Sequence, residues 1–343
     1  MHSESFAPTI DITSPTAVEE LDAACRQAGF FQIVGHGIAP ETVMNAMGSV
    51  KDFFRLPVEE KVKWISSDQT IERGYSARGT EAFAYSMDIE TPNDLVEAFT
   101  VGQDSFPPDD PIFNTTEHTH FAKNIWPDQP EELHGAVLAY YDEVRRATHE
   151  VTRLLAEALE LDTDFFERTT THPMDSLRFN YYFGSPDDPE PLPGQFGVGP
   201  HTDYGLITVM YADGVDGLQV ADSEGQWHEV VPISGALVVN LGDLMAQWTN
   251  DRWRSSLHRV KAMRPENGRL VERLSAPFFH STSYDTVIEC LPTCVSDTNP
   301  ARYPTVIAGE QFDAKFIAAR VLEAADQIST VGDRNAALQA DLV

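Results

Sequence analysis

Positive charge is scarce in this chain: 24 Lys and Arg stand against 54 Asp and Glu, a formal net charge of −30. Nucleic-acid binding relies on Lys and Arg displacing phosphate counterions, so this balance argues against a phosphate-backbone partner and against an anionic membrane face. A small anionic ligand then needs a local cationic pocket. Cysteine is sparse, with only Cys25, Cys290 and Cys294 in 343 residues. An odd, scattered set reads as a reducing compartment rather than a disulfide framework, and no second Cys or His pair stands near Cys290 and Cys294 to complete a zinc site. Long apolar runs are lacking too. Nothing approaches the ~20 residues that span a bilayer, and MHSESFAPTIDI has neither the basic region nor the apolar core of a signal peptide. The expectation is a soluble, cytoplasmic protein.

What is present is ample apolar material, 42% of the chain, enough for a sizeable core. The length exceeds that of a usual single domain, yet barrels and sandwiches with added helices reach it as one unit. PTIDI and FFQIVGHGI read as strands, VEELDAACRQAG as a helix, and a further helix is predicted from Pro40 to Phe54. Residues 104–130, rich in Pro, Asp, Asn and Thr, read as a surface connection. From Glu131 to Leu161, Val137, Val144, Val151 and Leu155 fall on one helical stripe. After Pro173 the texture changes to short β-rich runs, at least seven of them: SLRFNYYF, GLITVMY, GLQVAD, QWHEVVPI, GALVVNLGD, SLHRVKAM and RLSAPFFHS. Close spacing without intervening helices predicts a mostly β sandwich or jelly roll flanked by helices in the N-terminal half and at the C-terminus. One domain is expected, with 1–172 packing on a 173–308 core and 309–343 forming a helical tail.

Chemistry concentrates in GPHTDYGLITV. His201 and Asp203, two apart at the head of an apolar run, would share one face of a strand. An imidazole and a carboxylate make two-thirds of a 2-His-1-carboxylate triad, which holds Fe(II) and leaves open positions. Of His228, His258 and His280, only His258 sits at an inward-facing position beside Val260, and it is the expected third ligand. The rival pair His118 and His120, beside Glu117, falls in the polar connection and reads as solvated loop. Arg273 and Ser275 in RLSAPFF also share a strand face and suit a carboxylate, Arg offering two charge-assisted bonds and Ser a third.

The order HTDYG, GLQV, GALVVNLGDLMAQWTNDRWRSSLHRV and RLSAPFF strongly resembles the isopenicillin N synthase-like branch of the Fe(II)- and 2-oxoglutarate-dependent dioxygenases. PTIDI, AGFFQIVGHGI, DFFRLPVEEK, RGY and DLVEAF look like that family's N-terminal region, so the resemblance spans nearly the whole chain. It implies a double-stranded β-helix, cupin-like core with His201, Asp203 and His258 as iron ligands. It also implies that Arg273 and Ser275 grip the distal carboxylate of 2-oxoglutarate, with Asn180 and Tyr182 of an N-x-Y pair beside it. The implied reaction consumes O₂, decarboxylates 2-oxoglutarate to succinate and CO₂, and hydroxylates, or desaturates, a C–H bond of a small molecule. Asp203 disfavours halogenation, because halogenating relatives replace that carboxylate. The alternatives are an iron oxidase that uses no 2-oxoglutarate and a non-catalytic binder on the same scaffold. Candidate substrate-pocket residues are Phe279, Phe183, Tyr75 and Phe83. His36, in the N-terminal signature, reads as a packed, hydrogen-bonded residue and His280 as lying outside the pocket.

Overall fold

The computed structural model describes residues 6–68, 70–87, 89–104 and 119–320, with side chains as far as Lys315. In the N-terminal third, strands β1 (Thr9–Asp11) and β2 (Phe30–Val34) flank helix α1 (Ala17–Gln27). Acidic Glu19 and Glu20 in the first turn of α1 and Arg26 in the last complement its dipole. Helix α2 (Pro40–Phe54) starts on a proline, whose missing N–H costs nothing there. The short helix α3 (Val58–Lys61) and strands β3 (Gly74–Ser76) and β4 (Glu97–Gly102) follow, then helix α4 (Leu133–Ala158) and the short α5 (Phe165–Thr169).

The β-rich half supplies β5 (Ser176–Gly184), β6 (Val198–His201), β7 (Ile207–Ala212), β8 (Leu218–Ala221), β9 (Trp227–Glu229) and β10 (Leu237–Leu241). Helix α6 (Asp243–Trp248), β11 (His258–Val260) and β12 (Val271–His280) complete it, before a small hairpin and helix α7 (Ala308–Arg320). Eight strands form the major sheet, in the order β1-β2-β10-β7-β12-β5-β4-β3, and four form the minor sheet, β6-β11-β8-β9. All pairs are antiparallel except β1 with β2.

Period-two alternation sorts the two faces of the major sheet. Leu177, Phe179 and Tyr181 of β5 and Leu274, Ala276 and Phe278 of β12 join α1, α2 and α4 residues such as Leu21, Val50 and Val144 in the larger core. Tyr182, Val238 and Phe30 point the other way, into a second core shared with Val198, Val220 and Val260 of the minor sheet. Two sheets face one another, and helices cover the outer face of the larger: a mixed α/β molecule on a jelly-roll core. The first four strands extend the major sheet rather than forming a layer beside it. Among the described residues, no helix is long and apolar enough to cross a membrane.

Candidate active site

His201 and His258 are direct cross-strand partners on β6 and β11, so the antiparallel ladder sets their rings side by side, 4.3 Å apart. The expectation that His201 and Asp203 share one strand face is corrected: β6 ends at His201, and Asp203 lies in the connection before β7. The chain there turns so that Asp203 Oδ1 comes within 3.7 Å of His201 Nε2 and 3.6 Å of His258 Nε2. One ligand atom from each of the three residues lies within 4.8 Å of the others.

Hydrogen bonds fix which atom of each residue faces the common centre. His201 Nδ1 donates to the Gly199 carbonyl at 2.8 Å and His258 Nδ1 to that of Ser256 at 3.1 Å, leaving both Nε2 lone pairs free. Asp203 Oδ2 accepts from Asn240 Nδ2 at 2.7 Å and from the Thr208 hydroxyl, which leaves Oδ1 for the metal. Burial, then the neighbouring His258 imidazole, hold His201 well below the ordinary histidine value. Burial would raise the Asp203 carboxyl, but His258, His201 and the Thr208 and Asn240 bonds together hold it below the usual carboxylate range. A neutral imidazole beside a charged carboxylate is the protonation state a divalent cation requires. Two nitrogens and one oxygen with the remaining directions open fit Fe(II).

The triad opens on a cavity of about 120 Å³ between the sheets, ample for a small ligand when ~10–15 Å³ of such space holds a water. Asn180 and Tyr182 of β5 and Ser275 and Phe279 of β12 line it. Arg273, only 1% exposed, donates from Nη1 to Ser275 Oγ at 3.2 Å and from Nε to the Val215 carbonyl at 3.3 Å. Among the described residues its Nη2 is buried with no partner, and its guanidinium carbon lies 5.0 Å from the centre of the Tyr182 ring. Burial pushes the Tyr182 phenol up, against Arg273 and Ser275. Among the described residues no carboxylate pairs with this guanidinium, and a buried guanidinium is costly unless an anion completes it.

Phe83 also lines the cavity, its ring 5.3 Å from that of His201. Two expected pocket residues do not. Tyr75 on β3 is buried in the larger core against Phe53, ring to ring 5.9 Å. Phe183 follows Tyr182 and so takes the opposite sheet face, beneath the Arg78 guanidinium at 4.3 Å. His280 turns to the outer face and bonds Asp175 at 3.0 Å. His36 braces a turn, with Nε2 to Gly235 O at 3.0 Å. His120 is no solvated loop residue: its ring is largely buried, bonded to Asp313 at 2.7 Å, while His118 and Glu117 lie outside the described residues. Asn240, Thr208 and Arg178 were missed by sequence reasoning, although each is a polar residue at an inward position of an apolar strand.

A jelly roll that gathers two imidazoles and one carboxylate over an open, mostly apolar cavity defines a mononuclear non-haem metal oxygenase. Family models agree: residues 7–129 match the non-haem dioxygenase in morphine synthesis N-terminal family, and residues 173–282 the 2OG-Fe(II) oxygenase superfamily. The chain is 35% identical over 293 residues to a 2-oxoglutarate-Fe(II) type oxidoreductase of Emericella nidulans, covering 84% of this chain and 80% of that protein. It is 31% identical to a homoarginine-6-hydroxylase of Oryza sativa subsp. japonica, covering 88% of each. The crystal structure of a putative 2OG-Fe(II) oxygenase family protein from Caulobacter crescentus superposes with a TM-score of 0.76 at 30% identity, covering 90% of this chain and 97% of that one. The chain belongs to the 2-oxoglutarate- and Fe(II)-dependent oxygenase superfamily, in its isopenicillin N synthase-like branch. It is an oxidoreductase that uses Fe(II), 2-oxoglutarate and O₂ to oxidise a small organic molecule.

Proposed function

We propose that His201 Nε2, His258 Nε2 and Asp203 Oδ1 hold the iron, and that Arg273, Ser275 and Tyr182 hold the distal carboxylate of 2-oxoglutarate with Asn180 beside it. The reaction we infer is hydroxylation of a C–H bond, the outcome named for the rice relative. The observation that carries this reading is Arg273 Nη2, buried without a partner among the described residues, on a guanidinium bonded to Ser275, which lines the same cavity as the triad. When bound, iron and 2-oxoglutarate supply the oxidising power, with release of succinate and CO₂. The chain's own part is placement. Asn240 and Thr208 aim the Asp203 carboxylate, and the buried Arg273 gives a dicarboxylate one orientation. Phe279 and Phe83 would press the substrate toward the metal and exclude water. Three free, buried cysteines support a reducing, cytoplasmic setting.

Anaerobic addition of Fe(II) and 2-oxoglutarate should produce a weak visible charge-transfer band that disappears in His258→Ala. In Arg273→Ala the band should need much more 2-oxoglutarate. Wild-type protein that gives no band and releases no succinate in air would overturn the assignment.

A further inference from the structure

Much of the cavity wall is fixed by backbone. Asn180, Met210, Leu218, Val260 and Ser275 line it from strands whose ladder bonds hold them in register. Phe312 lines the same cavity from a different support, the C-terminal helix α7, which belongs to neither facing sheet. Phe312 and Lys315 stand three apart and so share one helix face. The ring of Phe312 meets that of Tyr204 edge to face at 5.5 Å and that of His120 at 4.8 Å. Tyr204 also lines the cavity and follows the ligand Asp203 directly in the chain. Helix α7 packs as well against the turn Phe83–Met87, whose Phe83 ring lies 5.3 Å from that of His201.

Polar bonds set where α7 lies. Lys315, only 4% exposed, donates to the Asp243 carboxylate at the head of α6, and its ammonium stands 5.2 Å from the centre of the Tyr204 ring. Asp243 also accepts from the Thr202 hydroxyl at 3.1 Å, and its own N–H reaches the Asp203 carbonyl at 2.8 Å. On the other flank, Asp313 accepts from the Tyr284 hydroxyl at 2.8 Å and bonds His120 at 2.7 Å. At the helix start, a side-chain carbon added to Gly309 would lie 2.2 Å from the Tyr284 ring, an approach that glycine permits. Burying a lysine–carboxylate pair adds little net stability, since desolvation offsets the attraction, but it holds a geometry, because either partner left unpaired there is costly. The geometry held here is that between Phe312 and the turn that carries Asp203.

We propose that Phe312 is a specificity-determining residue, setting how large a substrate the metal can reach, and that Lys315 is the residue that positions it, by tying α7 to Asp243. This rests on the Fe(II)/2-oxoglutarate reading of the same cavity and adds the feature that selects among substrates. A wall carried on one helix shifts without breaking a strand ladder, so changing residue 312 or its tether alters the size of the cavity and leaves the triad in place.

The test uses full-length enzyme loaded anaerobically with Fe(II) and 2-oxoglutarate, whose visible band, recorded before any probe is added, reports separately on the metal and co-substrate assignment. Neutral probes of graded size are titrated into it: benzyl alcohol, 2-naphthalenemethanol and 4-biphenylmethanol. Perturbation of the band gives the ratio of affinities for the largest and the smallest. Phe312→Ala should shift that ratio by about tenfold or more toward the largest probe, within the range that the fit of a single methylene decides. Phe312→Trp should shift it the other way. Lys315→Met should move the ratio in the same direction as Phe312→Ala, whereas Lys315→Arg, which keeps the ion pair, should retain most of the wild-type value. A purely structural role for Lys315 would lower the melting temperature without moving the ratio. A wild-type ratio in Phe312→Ala or in Lys315→Met, or no response of any form to any probe, would each overturn the proposal. A band lost in Lys315→Met would assign the ion pair to the ligand turn and overturn its role in placing α7.

Discussion

Asn240 shows how a single amide can set a metal site. Its Nδ2 and the Thr208 hydroxyl both reach Asp203 Oδ2, so the carboxylate is held in one rotamer with Oδ1 toward the two imidazoles. Removing the amide frees that rotation and leaves the rest of the ligand set in place. Asn240→Ala is expected to weaken Fe(II) or Mn(II) binding about 10–100-fold, the usual consequence of losing a bond that orients a ligand. Thr208→Val should act in the same direction, and a metal titration followed by the visible band measures both. Unchanged affinity in both variants would mean that the backbone alone fixes Asp203. Neither residue was singled out from sequence, yet Asn240 in GALVVNLGD was open to discovery, being the one amide in an otherwise apolar strand. The ligands themselves were legible, Asp203 through its spacing from His201 and His258 through its alternation with Val260. Arg273 and Ser275 do share one face of β12, as their spacing of two suggested, whereas Asp203 lies past the end of β6 and reaches the site by a turn of the chain. Tyr75 was not legible, because nothing local to RGY says that its ring faces Phe53 rather than the cavity.

Between elements, the connection from β6 to β7 carries Asp203, and it is packed too tightly to carry it anywhere else. A side-chain carbon added at Gly242, just before α6, would lie 2.2 Å from the Gly205 carbonyl oxygen, and the Asp203 carbonyl accepts from Asp243 N–H at 2.8 Å. Gly242→Ala should therefore push the 203–205 turn outward. We expect a loss of about 1–3 kcal/mol in unfolding free energy, typical of overpacking, together with weakened metal binding. Denaturant titration and metal titration should move together; a stable variant with normal metal affinity would show that the turn can yield. On the other side of β6, Asp94 accepts N–H groups from Phe83 at 2.9 Å and Gly199 at 2.8 Å, tying the Phe83 turn to the strand that ends in His201. Burial pushes this carboxyl up to about 7 despite those two donors. A folded value above the unfolded one means that the group stabilises fully below ~4 and loses that contribution as pH rises through its folded value. The difference in melting temperature between wild type and Asp94→Asn should therefore shift against the wild type from pH 5 to pH 8. A difference that stays constant with pH would show that Asp94 is ionised throughout. Strand β6 was invisible in the sequence because GVGPH has no alternation to read; its partner β11, across the ladder, makes it a strand.

At the scale of the whole molecule, local pattern showed that sheets exist but could not show which strands join. Phe31 pairs with Val239 and Phe99 with Phe179, contacts between the two halves of the chain that no window of sequence contains. The N-terminal third thus supplies both edges of the major sheet, while its helices α1 and α2 pack on the sheet's face. Charge, by contrast, is a global quantity that composition gives directly. Surface cations are commonly shared between acids: Arg168 contacts Asp162 and Asp164, and Arg153 contacts Glu150 and Glu157. Salt screens those attractions, worth little at an exposed surface, and also the repulsion among the remaining carboxylates. With 54 acids to 24 bases, repulsive pairs outnumber attractive ones, so the net effect of screening should stabilise the folded chain. The melting temperature should climb as NaCl is raised from about 0.01 M to about 1 M, where the screening length shortens from ~30 to ~3 Å. Most of the gain should fall in the first few tenths of molar, before salt exclusion from the surface contributes, and sucrose serves as the uncharged control for that exclusion. A melting temperature that is flat or falls over that first interval would mean that the paired cations, few as they are, outweigh the excess of acid.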